Sequence, residues 1–146
     1  MTKITAVTRD DFEEWASLWN GYLTFYGADI ADAVTRHTFD RIVGDREIHG
    51  AIARDDAGHA IGIVHWLTHS ATWSDTDYCY LEDLFVAPGS RGSGAGRALI
   101  AHVRDWAEAQ GCAKVYWLTQ EGNTTARTLY ERVATHTGYT HYQIAL

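Results

Sequence analysis

The stretch Tyr80-Leu81-Glu82-Asp83-Leu84-Phe85-Val86-Ala87-Pro88-Gly89-Ser90-Arg91-Gly92-Ser93-Gly94-Ala95-Gly96-Arg97 decides how this chain is read. Apart from Glu82 and Asp83, its first seven residues are apolar or aromatic, as in a strand with a buried face. Pro88 closes that strand, and Gly89, Gly92, Gly94 and Gly96 follow in quick succession. From Gly94 to Gln110 the spacing turns helical: Leu99, Ile100, Val103, Trp106 and Ala107 form one stripe, and Gly111 stops it. Glycines let a backbone approach a bulky anion without Cβ atoms in the way. The first turn of the helix adds unpaired N–H groups and the positive end of its dipole. Arg91 and Arg97 bring positive charge to the same place. This is the chemistry of a pyrophosphate cradle.

Spacing separates the kinds of cradle. A dinucleotide fold needs G-x-G-x-x-G, but counting from Gly92 and Gly94 the third position is Arg97. A P-loop needs Lys and Ser/Thr after its second glycine, and Ala95 and Gly96 stand there. What fits is R-x-x-G-x-G, with Arg91, Gly94 and Gly96. A plain glycine-rich connector is the other reading of this hexapeptide alone.

Here the sequence resembles the GNAT superfamily of N-acetyltransferases, whose pyrophosphate motif for coenzyme A is R-x-x-G-x-G after a strand. Tyr80 to Val86 is similar to that family's fourth strand. Gly122-Asn123-Thr124-Thr125-Ala126-Arg127-Thr128-Leu129-Tyr130 matches its N-x-x-A-x-x-L-Y signature, and Gly138-Tyr139 resembles the entry to its last strand. Within the superfamily, Leu81-Glu82-Asp83 followed by Phe85-Val86 is most like the diamine and polyamine acetyltransferases, such as spermidine/spermine N-acetyltransferase.

The rest of the chain agrees in element order. Residues 3–7 suit a strand, and Thr8 offers an N-cap before acidic Asp10 and Asp11. Phe12, Trp15, Trp19, Tyr22, Leu23 and Tyr26 then recur at helical spacing up to Gly27, and a second helix is predicted over 33–43. Strands are predicted over 47–54, 60–69 and 77–86, the first two joined by the turn-forming Asp55-Asp56-Ala57-Gly58. After the helix over 94–110 come a strand over 113–119, a helix over 123–137 and a last strand over 139–146. The order β-α-α-β-β-β-α-β-α-β predicts a mixed, mostly antiparallel α/β sheet with helices on both faces, in one domain spanning 1–146.

Composition bounds the function. Apolar residues make up 46% of the 146, enough for a core. The net charge of −7 argues against a nucleic-acid partner and favours cationic ligands. No apolar run approaches the roughly 20 residues that span a bilayer. The N-terminus turns acidic before any apolar stretch develops, so a cytoplasmic protein without membrane attachment is expected. Cys79 and Cys112 read as two reduced, partly buried thiols.

The resemblance implies acetyl-CoA as co-substrate and direct attack of a primary amine on its thioester. Such an amine must lose a proton, the developing oxyanion must be stabilised, and the departing thiolate should receive a proton. For the acid, Tyr130 on its own reads first as a core tyrosine beside Leu129 and Val133; the resemblance reverses that and assigns the matching tyrosine the general-acid role. For the base the candidate is Glu82. Strand alternation places Glu82 and Asp83 on opposite faces, and a carboxylate in an apolar strand is costly unless paired or solvated. A carboxylate satisfied by a neighbouring Arg or His is the alternative for either acid.

By the same resemblance, main-chain groups of Leu84, Phe85 and Val86 would meet the thioester carbonyl and the pantetheine arm. Arg91, Gly92, Ser93, Gly94, Ala95, Gly96 and Arg97 would hold the diphosphate. Asn123, Ala126 and Tyr130 complete the cofactor set, Asn123 either bonding the cofactor arm or holding the helix entrance.

The acceptor would be a small cationic molecule: a polyamine, a diamine or an amino acid. Its candidate contacts are Tyr22, Tyr26, Trp73, Glu82 and Asp83, with Phe25 beside them, because aromatic faces attract ammonium groups. His65 and His69 fall on a strand, where a four-residue step of about 13 Å is too long for one metal ion to bridge, so no metal is expected. Similar proteins also form homodimers. Two rivals remain: a protein or peptide N-acetyltransferase, and a non-catalytic acyl-CoA-binding regulatory module, which would need neither Glu82 nor Tyr130.

Overall fold

The computed structural model describes residues 1–44 and 47–146. They form two compact units, Met1–Tyr116 and Trp117–Leu146.

In the first unit the order is β1 (Lys3–Ala6), α1 (Phe12–Phe25), α2 (Asp32–Val43), β2 (His49–Arg54), β3 (Ala60–His69), β4 (Tyr78–Val86), α3 (Ala95–Ala109) and β5 (Lys114–Tyr116). The five strands make one sheet in the order β1-β2-β3-β4-β5. The first three pairings are antiparallel; a short turn joins β2 to β3, whereas α1 and α2 lie between β1 and β2. The pairing of β4 with β5 is parallel, and the crossover it requires is α3. The mixed α/β fold expected from the sequence is thus the fold observed.

The entrance to α1 is built locally. The Asp11 carboxylate accepts from the Thr8 backbone N–H at 2.7 Å and from its hydroxyl at 3.0 Å, and a short 3₁₀ turn over Arg9–Asp11 leads into the helix. The stripe on α1 buries Trp15, Leu18, Trp19 and Leu23. These pack with Phe39 and Ile42 of α2 on Ile52, Ile63 and Phe85. Ile52 faces Ile63, and Ile63 faces Phe85, across the ladders, so the three share one face of the sheet. Ile52 and Ile63 are fully buried, each contributing about 1.5–3 kcal/mol by transfer from water. The opposite face is covered by α3, where Trp66 meets the rings of Trp106 and His102. Helices therefore cover both faces.

In the second unit, α4 spans Thr124–Val133, shorter than the helix expected over 123–137. Asn123 caps it, its side-chain oxygen accepting from the Ala126 N–H at 3.4 Å. The expected strand over 139–146 is not formed: these residues lie outside any helix or strand, with Tyr139, Tyr142 and Ile144 exposed. The apolar alternation is present, but a strand exists only where a neighbour takes its N–H and C=O groups, and this unit contains no strand to pair with. The strand expected over 113–119 is observed as only the three residues that pair with Tyr78–Tyr80.

Candidate active site

The decisive local feature is a bulge in β4. His65 of β3 faces Asp83, whereas the next residue, Trp66, faces Leu81, so Glu82 has no partner in the ladder. Simple alternation put Glu82 and Asp83 on opposite faces. The extra residue breaks that alternation, and both carboxylates act on the Tyr22 hydroxyl of α1.

Around them stands a wall of tyrosines. Tyr22 and Tyr26 meet edge to face at 5.0 Å, Phe25 packs on Tyr26 at 5.1 Å, and Tyr22 meets Phe85 at 6.2 Å. Burial first, then the charge and hydrogen bond of Asp83, lift Tyr22 far above the ordinary phenol range. Burial and Asp83 raise Tyr26 likewise, and burial followed by Glu82 raises Tyr80. These hydroxyls therefore stay protonated at neutral pH and donate. Glu82 is reachable by solvent, yet the packing around it removes enough water to hold its carboxyl above the usual range. The charge of Asp83 pushes it the same way, and Arg41 offsets part of the rise. The combination is a negative, aromatic-walled surface with one carboxylate already inclined to take a proton.

The cradle is equally specific. Gly92 and Gly94 have φ values of +80° and +89°, the left-handed region where a side chain is strained. A Cβ on either would meet nothing within 4 Å, so these glycines serve the turn rather than tight packing. The first helical hydrogen bond of α3 runs from Ala98 N–H to Gly94 C=O at 3.0 Å, and no side chain caps this end. The amides of Ala95, Gly96 and Arg97 precede it, as an anion site requires. Ser93 is tied to Ser90 through its hydroxyl at 2.6 Å. Arg91 folds back, donating from Nε to the Val86 carbonyl at 3.2 Å with its guanidinium near the rings of Phe25 and Phe85. Among the described residues the β4–β5 ladder ends at Tyr80, so Leu84, Phe85 and Val86 make no ladder pairs on that side. A glycine turn with uncapped helix-end amides has the chemistry that the diphosphate of coenzyme A needs.

The structure thus brings Tyr22, Tyr26, Glu82 and Asp83 together and leaves Trp73 apart, 86% exposed in the β3–β4 loop. In the second unit Tyr130 packs edge to face on Trp117 at 5.4 Å. Four residues were not assigned to the site from sequence. Trp15 and His65 support Asp83 from beneath, Tyr80 lines the cluster, and Tyr116 lies 5.0 Å from the Tyr80 ring and bonds His69 at 2.7 Å. A histidine in the apolar run Ile63-Val64-His65-Trp66 was the available signal, since a buried imidazole needs partners. Among the described residues no cluster of three metal-ligating side chains occurs, and no helix is long and apolar enough to cross a membrane.

Comparison with known proteins decides the family. The model of the acetyltransferase (GNAT) family matches residues 11–134. The chain belongs to the GNAT acetyltransferase family. It is similar to the D-amino-acid N-acetyltransferase of Saccharomyces cerevisiae, 34% identical over 142 residues that cover 96% of this chain and 88% of that protein. It is also similar to the thialysine N-epsilon-acetyltransferase of Caenorhabditis elegans, 25% identical over 131 residues, 90% of this chain and 81% of that one. Among solved structures, AAC(6')-Iy in complex with a CoA bisubstrate analog superposes with a TM-score of 0.86 at 21% identity, covering 100% and 99% of the two chains. The ribosomal-protein-alanine N-acetyltransferase from Brucella melitensis biovar Abortus gives 0.80 at 23% identity over the full length of both chains. These last two show the shared fold. This GNAT enzyme is an acyltransferase, and acetyl-CoA is its co-substrate.

Proposed function

We propose that residues 1–146 act as one GNAT domain that moves an acetyl group from acetyl-CoA to a primary amine on a small cationic acceptor. The observation that carries this reading is the pair Glu82 and Asp83, one without a ladder partner and the other opposite His65, both acting on the hydroxyls of Tyr22 and Tyr80. Such a surface attracts an ammonium group through charge and through ring faces.

Bound acetyl-CoA supplies the activated thioester. The chain's own part is to orient and to move protons. Amides of the Gly92–Arg97 turn hold the diphosphate, and main-chain groups of Leu84, Phe85 and Val86 align the arm. A main-chain N–H near Phe85 or Val86 donates to the carbonyl oxygen. Asp83 holds the acceptor's ammonium, and Glu82, directly or through water, takes the proton that frees the nitrogen for attack. Tyr130 gives a proton to the departing sulfur; the N-x-x-A-x-x-L-Y match supports this role. Asn123 and Ala126 shape the entrance of the helix that carries it.

Two acceptor classes have separate support. The strand Leu81-Glu82-Asp83 with Phe85-Val86 and the acidic balance favour polyamines and diamines. The 34% identity to an enzyme named for D-amino acids favours amino acids. Two free cysteines suit the reducing cytoplasm. The test is free-thiol release from acetyl-CoA with spermidine, putrescine, D- and L-lysine, thialysine and neamine, and with a peptide carrying a free α-amine. Turnover with a small amine but not the peptide supports the reading. Turnover with the peptide alone, or coenzyme A binding without any turnover, replaces it by the protein-acetyltransferase or regulatory reading.

A further inference from the structure

His65 lies in the middle of β3, only 2% exposed, with the rings of Trp15 and Trp19 against it. An imidazole buried there is costly unless both nitrogens are matched. Both are matched: Trp15 Nε1 lies 2.9 Å from His65 Nε2, and His65 Nδ1 lies 2.9 Å from Asp83 Oδ2. An indole N–H only donates, so Nε2 is the acceptor in the first bond. The proton of the neutral ring is then on Nδ1 and points at Asp83. A doubly protonated ring would set its own N–H against that of Trp15. Trp15 therefore fixes the direction of the whole chain, from indole to imidazole to carboxylate.

The Tyr22 hydroxyl of α1 acts on Asp83 from a second side. A carboxylate offers about four lone-pair sites, and these two donors leave some of them free. The Asp83 side chain is 15% exposed, so the free part is reachable. An aspartate without such partners turns about its last bond, whereas this one has its plane set from beneath.

We propose that His65 is a positioning residue for the acceptor: held by Trp15 as the Nδ1–H tautomer, it fixes the Asp83 carboxylate so that its remaining lone pairs receive the ammonium of the incoming amine. The inference rests on the amine-acceptor reading above. It divides the work of the carboxylates by geometry. Asp83, opposite His65, binds; Glu82, extra in the ladder, is left to take the proton.

The first test needs no acceptor. Nitrogen-15 NMR of the histidine-labelled wild-type chain at neutral pH should show His65 neutral, with its proton on Nδ1. A proton on Nε2, alone or together with one on Nδ1, overturns the proposal. The second test reads KM against kcat with spermidine and D-lysine. His65→Leu should raise the acceptor KM by about 10–100-fold, the usual cost of losing an orienting partner, while kcat and the Kd for coenzyme A change by less than about threefold. His65→Asn, whose amide restores a donor toward Asp83, should recover most of that loss. A fall in kcat at unchanged KM, or equal losses in the Leu and Asn variants, contradicts the proposal. Trp15→Phe, which deletes the N–H but keeps an aromatic ring, should show the same KM effect and serves if His65→Leu does not fold. Absence of thiol release with every amine is a failure of the transfer reading instead; spermidine affinity by calorimetry then replaces KM as the readout for His65.

Discussion

Glu82 and Asp83 are neighbours in the chain but not equivalents in the sheet: Asp83 is hydrogen-bonded to His65 across the ladder, while Glu82 is the extra residue of a bulge. That one inserted position turns an alternating strand into a platform where two carboxylates serve the same tyrosines. Asp83 has its donors built in. Glu82 has a partly desolvated carboxyl and a negative neighbour, which together raise its affinity for a proton.

The pH profile should follow from this. A base works when deprotonated, so kcat should fall as pH falls through the value of Glu82. That limb should lie above the ordinary glutamate value of about 4.3. Asp83→Asn removes the like charge and should move the limb to lower pH. A limb that does not move in this variant would detach it from Glu82.

The same shift has a stability consequence of definite sign. The folded state holds the Glu82 proton more tightly than the unfolded chain, so stability declines as pH rises from the unfolded value through the folded one. Glu82→Gln removes that decline. The variant should melt above wild type at about pH 8 and together with it at about pH 3, where the carboxyl is protonated in both states. Thermal scans at the two pH values check the sign.

Much of the fold was legible because its signals are local. The Thr8 and Asp11 cap, the stripe on α1, and the glycines that end β4 and open α3 are all set within a few residues of one another. The site was legible only in part, because ladder register and buried pairs are not local properties. Nothing near Glu82 announces the bulge, which depends on where β3 aligns. Trp15 and His65 are 50 residues apart, so their hydrogen bond cannot be read from either segment. Trp73 had the right chemistry for an acceptor wall, but its loop leaves it in solvent. The segment over 139–146 had the alternation of a strand and found no partner in its unit.

The left-handed turn at the cradle gives a test by paired variants. Gly94→Ala places a side chain at φ +89° and should cost about 1–2 kcal/mol of stability, with weaker binding of coenzyme A. Gly89→Ala points its methyl into open space and should change stability by less than about 0.5 kcal/mol. Denaturant melts and calorimetry separate the two. Equal costs would mean that the turn does not need its conformation.

Tyr130→Phe should lower kcat by about 100-fold, the lower range for loss of a general acid, while coenzyme A affinity stays within about threefold. The ring is kept, so its packing on Trp117 survives and the effect isolates the hydroxyl. An unchanged rate would remove Tyr130 as the proton donor.

The thiols should be passive. Burial, with the charge of Cys112 added, pushes Cys79 up to about 12, and burial followed by Asp77 raises Cys112. Both should react with a thiol reagent more slowly in the folded chain than in denaturant, and labelling of Cys112 should leave turnover unchanged. Loss of activity in step with labelling would give a cysteine a part in the chemistry.

The most direct measurement is amine-dependent thiol release from acetyl-CoA, run side by side on wild type and Glu82→Gln with coenzyme A affinity measured for both. Wild type should release one thiol for each acetylated amine, and Glu82→Gln should be slower by at least about 100-fold with coenzyme A bound as tightly. Equal rates in the two proteins, or release that does not depend on the amine, would contradict the assignment.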